Sequence, residues 1–177
     1  SAKISAMQAT FPSATKFGMA ALLPHSQLQL TDDGKVLCDG NSTEGTAARE
    51  KILATQHPQN VAIAYKALLA MTKEERQKAV ANAQVVYIYH NAIDAIGDKA
   101  VTEDEVFDAC EEAIVELKNL VRIIVNTMNG TNVLITADHG FLYSYKPLDE
   151  SDKAEKSFLS GNITELDRRY VLADGDC

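Results

Sequence analysis

The stretch from Ala83 to Gly140 limits the fold more than any other part of the chain. Val85-Val86-Tyr87-Ile88-Tyr89 is a continuous β-branched and aromatic run, the pattern of a strand buried on both faces. Thr102-Glu103-Asp104-Glu105 then reads as a capping box with Thr102 as N-cap and Glu105 at N3, and Val101 and Val106 are placed to staple it. From there Val106, Cys110, Ala113, Ile114, Leu117, Val121, Ile124, Val125 and Met128 recur at helical spacing. Gly130 is the expected stop. Val133-Leu134-Ile135-Thr136-Ala137 follows as a second buried-strand run. Strand, capped helix and strand form a βαβ unit, which requires parallel strands and a right-handed crossover. The expected fold class is therefore α/β, a mostly parallel sheet sandwiched by helices.

The flanks carry weaker signals. A short helix is expected over Thr15–Leu23, ending at Pro24, and a hairpin over Leu28–Asp39 around Asp32-Asp33-Gly34. Asn41–Gly45 reads as a polar loop, with helices near Thr46–Gln56, Asn60–Leu69 and Lys73–Ala81. Asp149–Lys156 is a charged loop, and Arg168-Arg169-Tyr170-Val171-Leu172 a candidate last strand. Residues 1–177 suffice for one domain with a full core, and no repeats or low-complexity tracts divide them.

No apolar run approaches the roughly 20 residues needed to cross a bilayer, and Ser1–Thr10 lacks the pattern of a secretory leader. Cys38, Cys110 and Cys177 are scattered and form no C-x-x-C pair, which suits reduced thiols in the cytoplasm. Cys110 falls on the apolar helix face and is expected in the core. The formal charge of −8 argues against direct nucleic-acid binding, which needs a basic footprint. It leaves room for phosphate chemistry if bound cations supply the positive field. No membrane partner is expected. The chain starts Ser1-Ala2-Lys3 without an initiator Met, and is expected to be a fragment of a larger protein.

Parallel sheets present ligands beyond the carboxyl ends of their strands. The first strand runs into His90-Asn91-Ala92-Ile93-Asp94-Ala95-Ile96-Gly97-Asp98, the second into Asp138-His139-Gly140. One rim would thus collect Asp94, Asp98, Asp138, His90 and His139, a mixture suited to zinc, manganese or similar ions. Helix caps and solvated loops explain any one of these residues equally well. Ahead of the first helix, Phe11-Pro12-Ser13-Ala14-Thr15 offers a hydroxyl at a helix start, where free N–H groups attract phosphate. Thr15 is the candidate nucleophile, activated by metal coordination; a plain N-cap is the alternative.

These segments resemble a known family. Pro12-Ser13-Ala14-Thr15 with Met19-Ala20-Ala21-Leu22-Leu23 looks like the nucleophile segment of the alkaline phosphatase superfamily. Asp94-Ala95-Ile96-Gly97-Asp98 resembles its Asp-x-x-Gly-His metal motif, and Ile135-Thr136-Ala137-Asp138-His139-Gly140 its Thr-Ala-Asp-His-Gly motif. Gly18–His25, Tyr89–Asp94 and Arg168–Leu172 are similar to the PglZ-domain branch, the phosphatase-type component of BREX phage-defence systems. The likeness runs from about Thr10 to Leu172. It implies a phosphatase or phosphodiesterase with a threonine nucleophile and two divalent ions, zinc or manganese, with magnesium as a further choice. Thr15 would attack phosphorus and touch one metal, Asp138 and His139 would bind metal, and Asp94 would serve the other pair. Asp98 stands where the superfamily has a histidine, and an aspartate there favours manganese or magnesium over zinc.

The superfamily also places a metal-binding Asp on a strand upstream of the nucleophile, and a further His after the Asp-His pair. Neither is present, so an incomplete, weakly active or inactive site is expected of this chain. His90 is a candidate ligand or a donor orienting Asp94, and Lys16, Arg168 and Arg169 are candidate phosphate contacts. His25 and His57 read as surface residues. An interaction module of a phage-defence complex, keeping the scaffold with little catalysis, is the alternative, with other defence proteins as partners. A receiver-like phosphoacceptor fits less well, since it lacks the expected lysine strand end.

Overall fold

In the computed structural model the described residues are 2–97, 106–140, 151, 161–167 and 170–174. In chain order the first elements are α1 (Thr15–Ala21), β1 (Leu28–Leu30), β2 (Val36–Cys38), β3 (Asn41–Ser42) and α2 (Gly45–Gln56). Next come β4 (Val61–Ala64), α3 (Tyr65–Ala70), α4 (Lys73–Ala79), β5 (Val86–Tyr89) and α5 (Ala92–Gly97). The last are α6 (Val106–Thr127), β6 (Asn162–Leu166) and β7 (Val171–Asp174). They fall into two compact units, one of Ser1–Thr43 with Ala137–Cys177, the other of Glu44–Thr136.

In the first unit, Phe17, Ala20 and Leu23 bury one side of α1 and its exit, and Val36 and Cys38 bury one side of β2. The Cys38 thiol donates to the Ala20 carbonyl at 3.5 Å, so α1 lies across β2. Burial pushes the Cys38 thiol pKa up, with the charge of Asp39 adding to the effect. The expected hairpin forms: β1 and β2 pair antiparallel, Leu28 opposite Cys38 and Leu30 opposite Val36. Gly34 takes φ 78° at the turn, and its N–H reaches the Thr31 carbonyl at 2.9 Å. The segment read as a polar loop supplies a third strand, because β3 pairs with β2 and buried Thr43 donates to the Val36 carbonyl. At the other end of the unit, β6 and β7 form an antiparallel pair with a bulge between Ile163 and Glu165. Only the end of the expected last strand lies in β7, and the β6 partner was not foreseen.

The second unit holds the parallel pair, β4 beside β5, with Val61 opposite Val86 and Ala64 opposite Tyr89. Buried Asn60 sets the start of this ladder. Its Oδ1 accepts from the Gln84 and Val85 N–H groups at 3.2 and 2.9 Å, and its Nδ2 donates to the Leu53 carbonyl at 3.3 Å. A buried amide satisfied on both ends ties α2 to both strands. Ile63, Tyr65, Leu68, Leu120 and Met128 form the core, with Val86, Ile88, Leu117 and Ile124 packed against them.

Two expectations fail here. The helix read over Asn60–Leu69 is a strand followed by a short helix, because Val61 and Ile63 gain a ladder from β5 that no helix would supply. The strand read over Val133–Ala137 is not seen: residues 131–135 belong to no sheet among the described residues. Val133, Leu134 and Ile135 are 39%, 89% and 56% exposed. A strand needs neighbours for its N–H and C=O groups, and among the described residues β5 pairs only with β4. The parallel crossover is therefore β4–α3–α4–β5, in place of one running from β5 through α6. The mostly parallel sheet reduces, among the described residues, to this one pair beside two antiparallel sheets.

The long helix is present over Val106–Thr127, with Val106, Ala109, Ala113 and Leu120 buried; Cys110 is half-buried. Its stop uses Asn129, at φ 56°, with the Gly130 N–H reaching back to the Ile124 carbonyl at 3.0 Å. The capping box at Thr102–Glu105 and all but Ser151 of the Asp149–Lys156 loop lie outside the described residues. A complete capping box does occur at Thr72–Glu75, which opens α4.

Candidate active site

Thr15 is the first helical residue of α1, and the N-cap is Ala14, which makes no side-chain cap. The Thr15 Oγ1 lies 3.0 Å from Nε2 of His139, 124 residues along the chain. Nδ1 of His139 lies 2.9 Å from the carbonyl oxygen of Gly140. A carbonyl only accepts, so Nδ1 carries the proton, and in the neutral ring Nε2 presents a bare lone pair. The Thr15 hydroxyl therefore donates to it.

The adjacent carboxylate completes the arrangement. Asp138 Oδ2 is buried without a hydrogen-bond partner and lies 3.7 Å from the same Nε2. That separation is too long for a hydrogen bond, and both atoms are acceptors. A buried carboxylate oxygen facing a lone pair is unfavourable unless a cation or proton lies between them. Carboxylate, imidazole and hydroxyl oxygen are donors that zinc, manganese and magnesium accept. By donor chemistry these three side chains suit a divalent ion. Among the described residues no group of three His, Cys, Asp or Glu side chains forms a metal cage.

Lys16, the neighbouring candidate, is drawn into a different cluster. Its ammonium pairs with Glu165 Oε2 on β6 and donates to the Gly34 carbonyl at 2.9 Å. It also lies 5.1 Å from the Phe17 ring centroid and 5.7 Å from that of Tyr170. Tyr170 donates to Glu165 Oε1 at 2.7 Å, and its ring meets Phe17 edge-on. Burial lowers the Lys16 pKa, but the Glu165 carboxylate and the Tyr170 hydroxyl outweigh it and hold the value above the lysine norm. Lys16, then Tyr170, hold Glu165 below the usual carboxylate range. In this arrangement Lys16 braces the hairpin turn against β6.

His90 and Asp94 belong to the second unit. His90 follows β5, its Nε2 2.5 Å from Glu116 Oε2 on α6 and its ring 4.8 Å from that of Tyr65. Asp94 is half-buried in the first turn of α5. The structure thus brings Thr15, Asp138 and His139 together and gives His90 a carboxylate partner. Asp98, Arg168 and Arg169 lie outside the described residues. Glu116, Glu165 and Tyr170 were not singled out in the sequence. Glu116 sits on a helix face, Glu165 in a short strand and Tyr170 just ahead of one, where a charged or phenolic side chain looks like ordinary surface. Glu116 and Glu165 meet His90 and Lys16 across 26 and 149 residues, with no local signal to pair them.

Comparison with known proteins places the chain among alkaline-phosphatase-like domains. It belongs to the PglZ family, matching the BREX system PglZ alkaline phosphatase-like domain over residues 1–176. Over 173 residues it is 39% identical to "Alkaline phosphatase-like protein PglZ" of Bacillus cereus (strain H3081.97), covering 98% of this chain and 20% of that protein. It is 40% identical, also over 173 residues, to "Alkaline phosphatase-like protein BrxZ" of Escherichia coli O9:H4 (strain HS), covering 97% of this chain and 20% of that one. The chain thus spans about a fifth of the length of these relatives. No solved structure matches it.

Proposed function

We propose that this chain contributes the nucleophile and metal-holding residues of a phosphatase or phosphodiesterase-type hydrolase. The observation that carries the reading is the Thr15 hydroxyl held 3.0 Å from His139 Nε2, beside the partnerless buried oxygen of Asp138. Thr15 Oγ1 forms the bond to phosphorus as the ester oxygen leaves, the hydroxyl proton ending on the leaving alcohol, and water then releases phosphate and restores the threonine hydroxyl. Asp138 and His139 hold one or both divalent ions, with Asp94 and Asp98 serving the other pair. When bound, zinc, manganese or magnesium supplies charge stabilisation to the attacking and leaving oxygens. Gly140 fixes the His139 ring through Nδ1, and the one remaining lone pair, on Nε2, takes the Thr15 hydroxyl when no metal is bound and would pass to the ion when one binds. His90, oriented by Glu116, is a candidate ligand beside Asp94, and Arg168 and Arg169 are candidate phosphate contacts. The reading carries with it a single domain with the sandwiched, mostly parallel sheet of the superfamily, in a cytoplasmic protein.

In the intact protein, Thr15→Ala abolishes turnover of an aryl phosphate or phosphodiester while bound metal, measured by elemental analysis, is unchanged. Asp138→Ala or His139→Ala lowers bound metal. Retained turnover in Thr15→Ala removes Thr15 from the mechanism. A second reading, an interaction module of a BREX complex, draws on Asp98 standing at the histidine position of the superfamily motif. It prevails if the intact protein with added manganese or zinc turns over nothing while pull-downs still recover defence-system partners.

A further inference from the structure

Gly18 lies three residues beyond Thr15 on α1, so both project from the same side of the helix. A Cβ built at Gly18 would stand 2.1 Å from the Asp138 carbonyl oxygen, 2.7 Å from its carbonyl carbon and 3.0 Å from its Cβ. The two nearest atoms are backbone, so rotating a side chain cannot relieve the contact. The position does not call for glycine on conformational grounds, because its φ is not among the positive ones. Glycine inside a helix is instead unfavourable relative to alanine. What the glycine permits is close approach: the helix backbone rests on the backbone at Asp138. On the same helix side Thr15 meets the side chain of the next residue, His139. Two contacts between the same two segments set their register.

We infer that Gly18 is a positioning residue, whose missing side chain lets α1 seat on Asp138 and so holds the Thr15 hydroxyl at hydrogen-bonding distance from His139. The inference rests on the proposed role of Thr15 only for its catalytic meaning; the contact itself can be measured separately. A methyl group at this position lifts the helix from Asp138 and lengthens the Thr15–His139 bond.

The test uses imidazole nitrogen resonances of the full 177-residue chain, which holds only four histidines. Losing the hydrogen bond moves the bare Nε2 of His139 downfield, and Thr15→Val supplies that reference shift. Gly18→Ala is expected to move His139 in the same direction while His57 and His90, in the other unit, stay in place. Met19→Ala, a half-buried neighbour on the same helix, controls for general loosening and is expected to leave His139 where it was. A folded Gly18→Ala with an unmoved His139, or an equal shift in Met19→Ala, overturns the inference. If Gly18→Ala does not fold, the wild-type chain decides. A through-space coupling between the Gly18 α-protons and the Asp138 or His139 amide proton supports the inference, and its absence overturns it. Turnover retained by Thr15→Ala in the intact protein would defeat the nucleophile reading and leave these signals untouched.

Discussion

Lys16 shows how a residue's neighbours in space decide what it does. Beside a candidate nucleophile a lysine suggests a phosphate contact, yet this ammonium is occupied by Glu165, the Gly34 carbonyl and two aromatic rings. The cluster has a pH signature. Glu165 is held below its ordinary value of 4.5, so its contribution is present above that value and is lost as pH falls through the depressed folded pKa. Lys16 is held above 10.5, so its contribution is present below that value and is lost as pH rises through the raised folded pKa. Glu165→Gln is expected to flatten the acid limb of stability below about pH 4.5, measured by urea unfolding. Because both side chains are 30% exposed, the loss at neutral pH is at most about 1 kcal/mol. An acid limb as steep as that of the wild type would show that Glu165 plays no part in it.

Among the elements, α4 is the one whose local chemistry is most complete. Thr72 accepts from the Glu75 N–H at 3.2 Å, while the Glu75 carboxylate accepts from the Thr72 N–H at 2.7 Å. No residue of α4 is buried, so its cap is a large part of what holds it. Thr72→Ala is expected to cost about 1 kcal/mol and to speed amide exchange in the first turn of α4, read by hydrogen exchange. Unchanged exchange there would mean that neighbours, not the cap, hold the helix. The helix itself was read near Lys73–Ala81 without its Thr72 cap, while α6 was legible from its spacing and the β1–β2 turn from Asp-Asp-Gly. The strand β4 was not, because Val61–Ala64 is too short and too plain to reveal its partner. Its pairing with β5 depends on Asn60, which touches Leu53, Gln84 and Val85, and contacts that distant leave no local pattern.

Across the molecule, the apolar run Val133–Ile135 is the clearest departure from expectation. Its composition suits a buried strand, but a ladder requires an edge to pair with, and here Leu134 stands 89% exposed. Leu134→Asp is therefore expected to change stability by less than about 0.5 kcal/mol in chemical denaturation of this chain. A loss well beyond that would show the run to be covered after all. No helix among the described residues is long and apolar enough to cross a membrane, in keeping with the composition.

The sequence by itself determined those features whose cause lies within a few residues: the α1 and α6 helices, the hairpin, the apolar run of β5, and the Asp-His pair with its threonine as candidates. It also carried the family, because the motif residues are contiguous. Only the tertiary structure decided that Thr15 meets His139 and that Gly18 rests on Asp138. It also decided that Lys16 is bound to Glu165 and that β5 takes β4 as its parallel neighbour. Each of these rests on atoms brought together from distant parts of the chain, where hydrogen-bond direction and close packing act, and a linear pattern records neither.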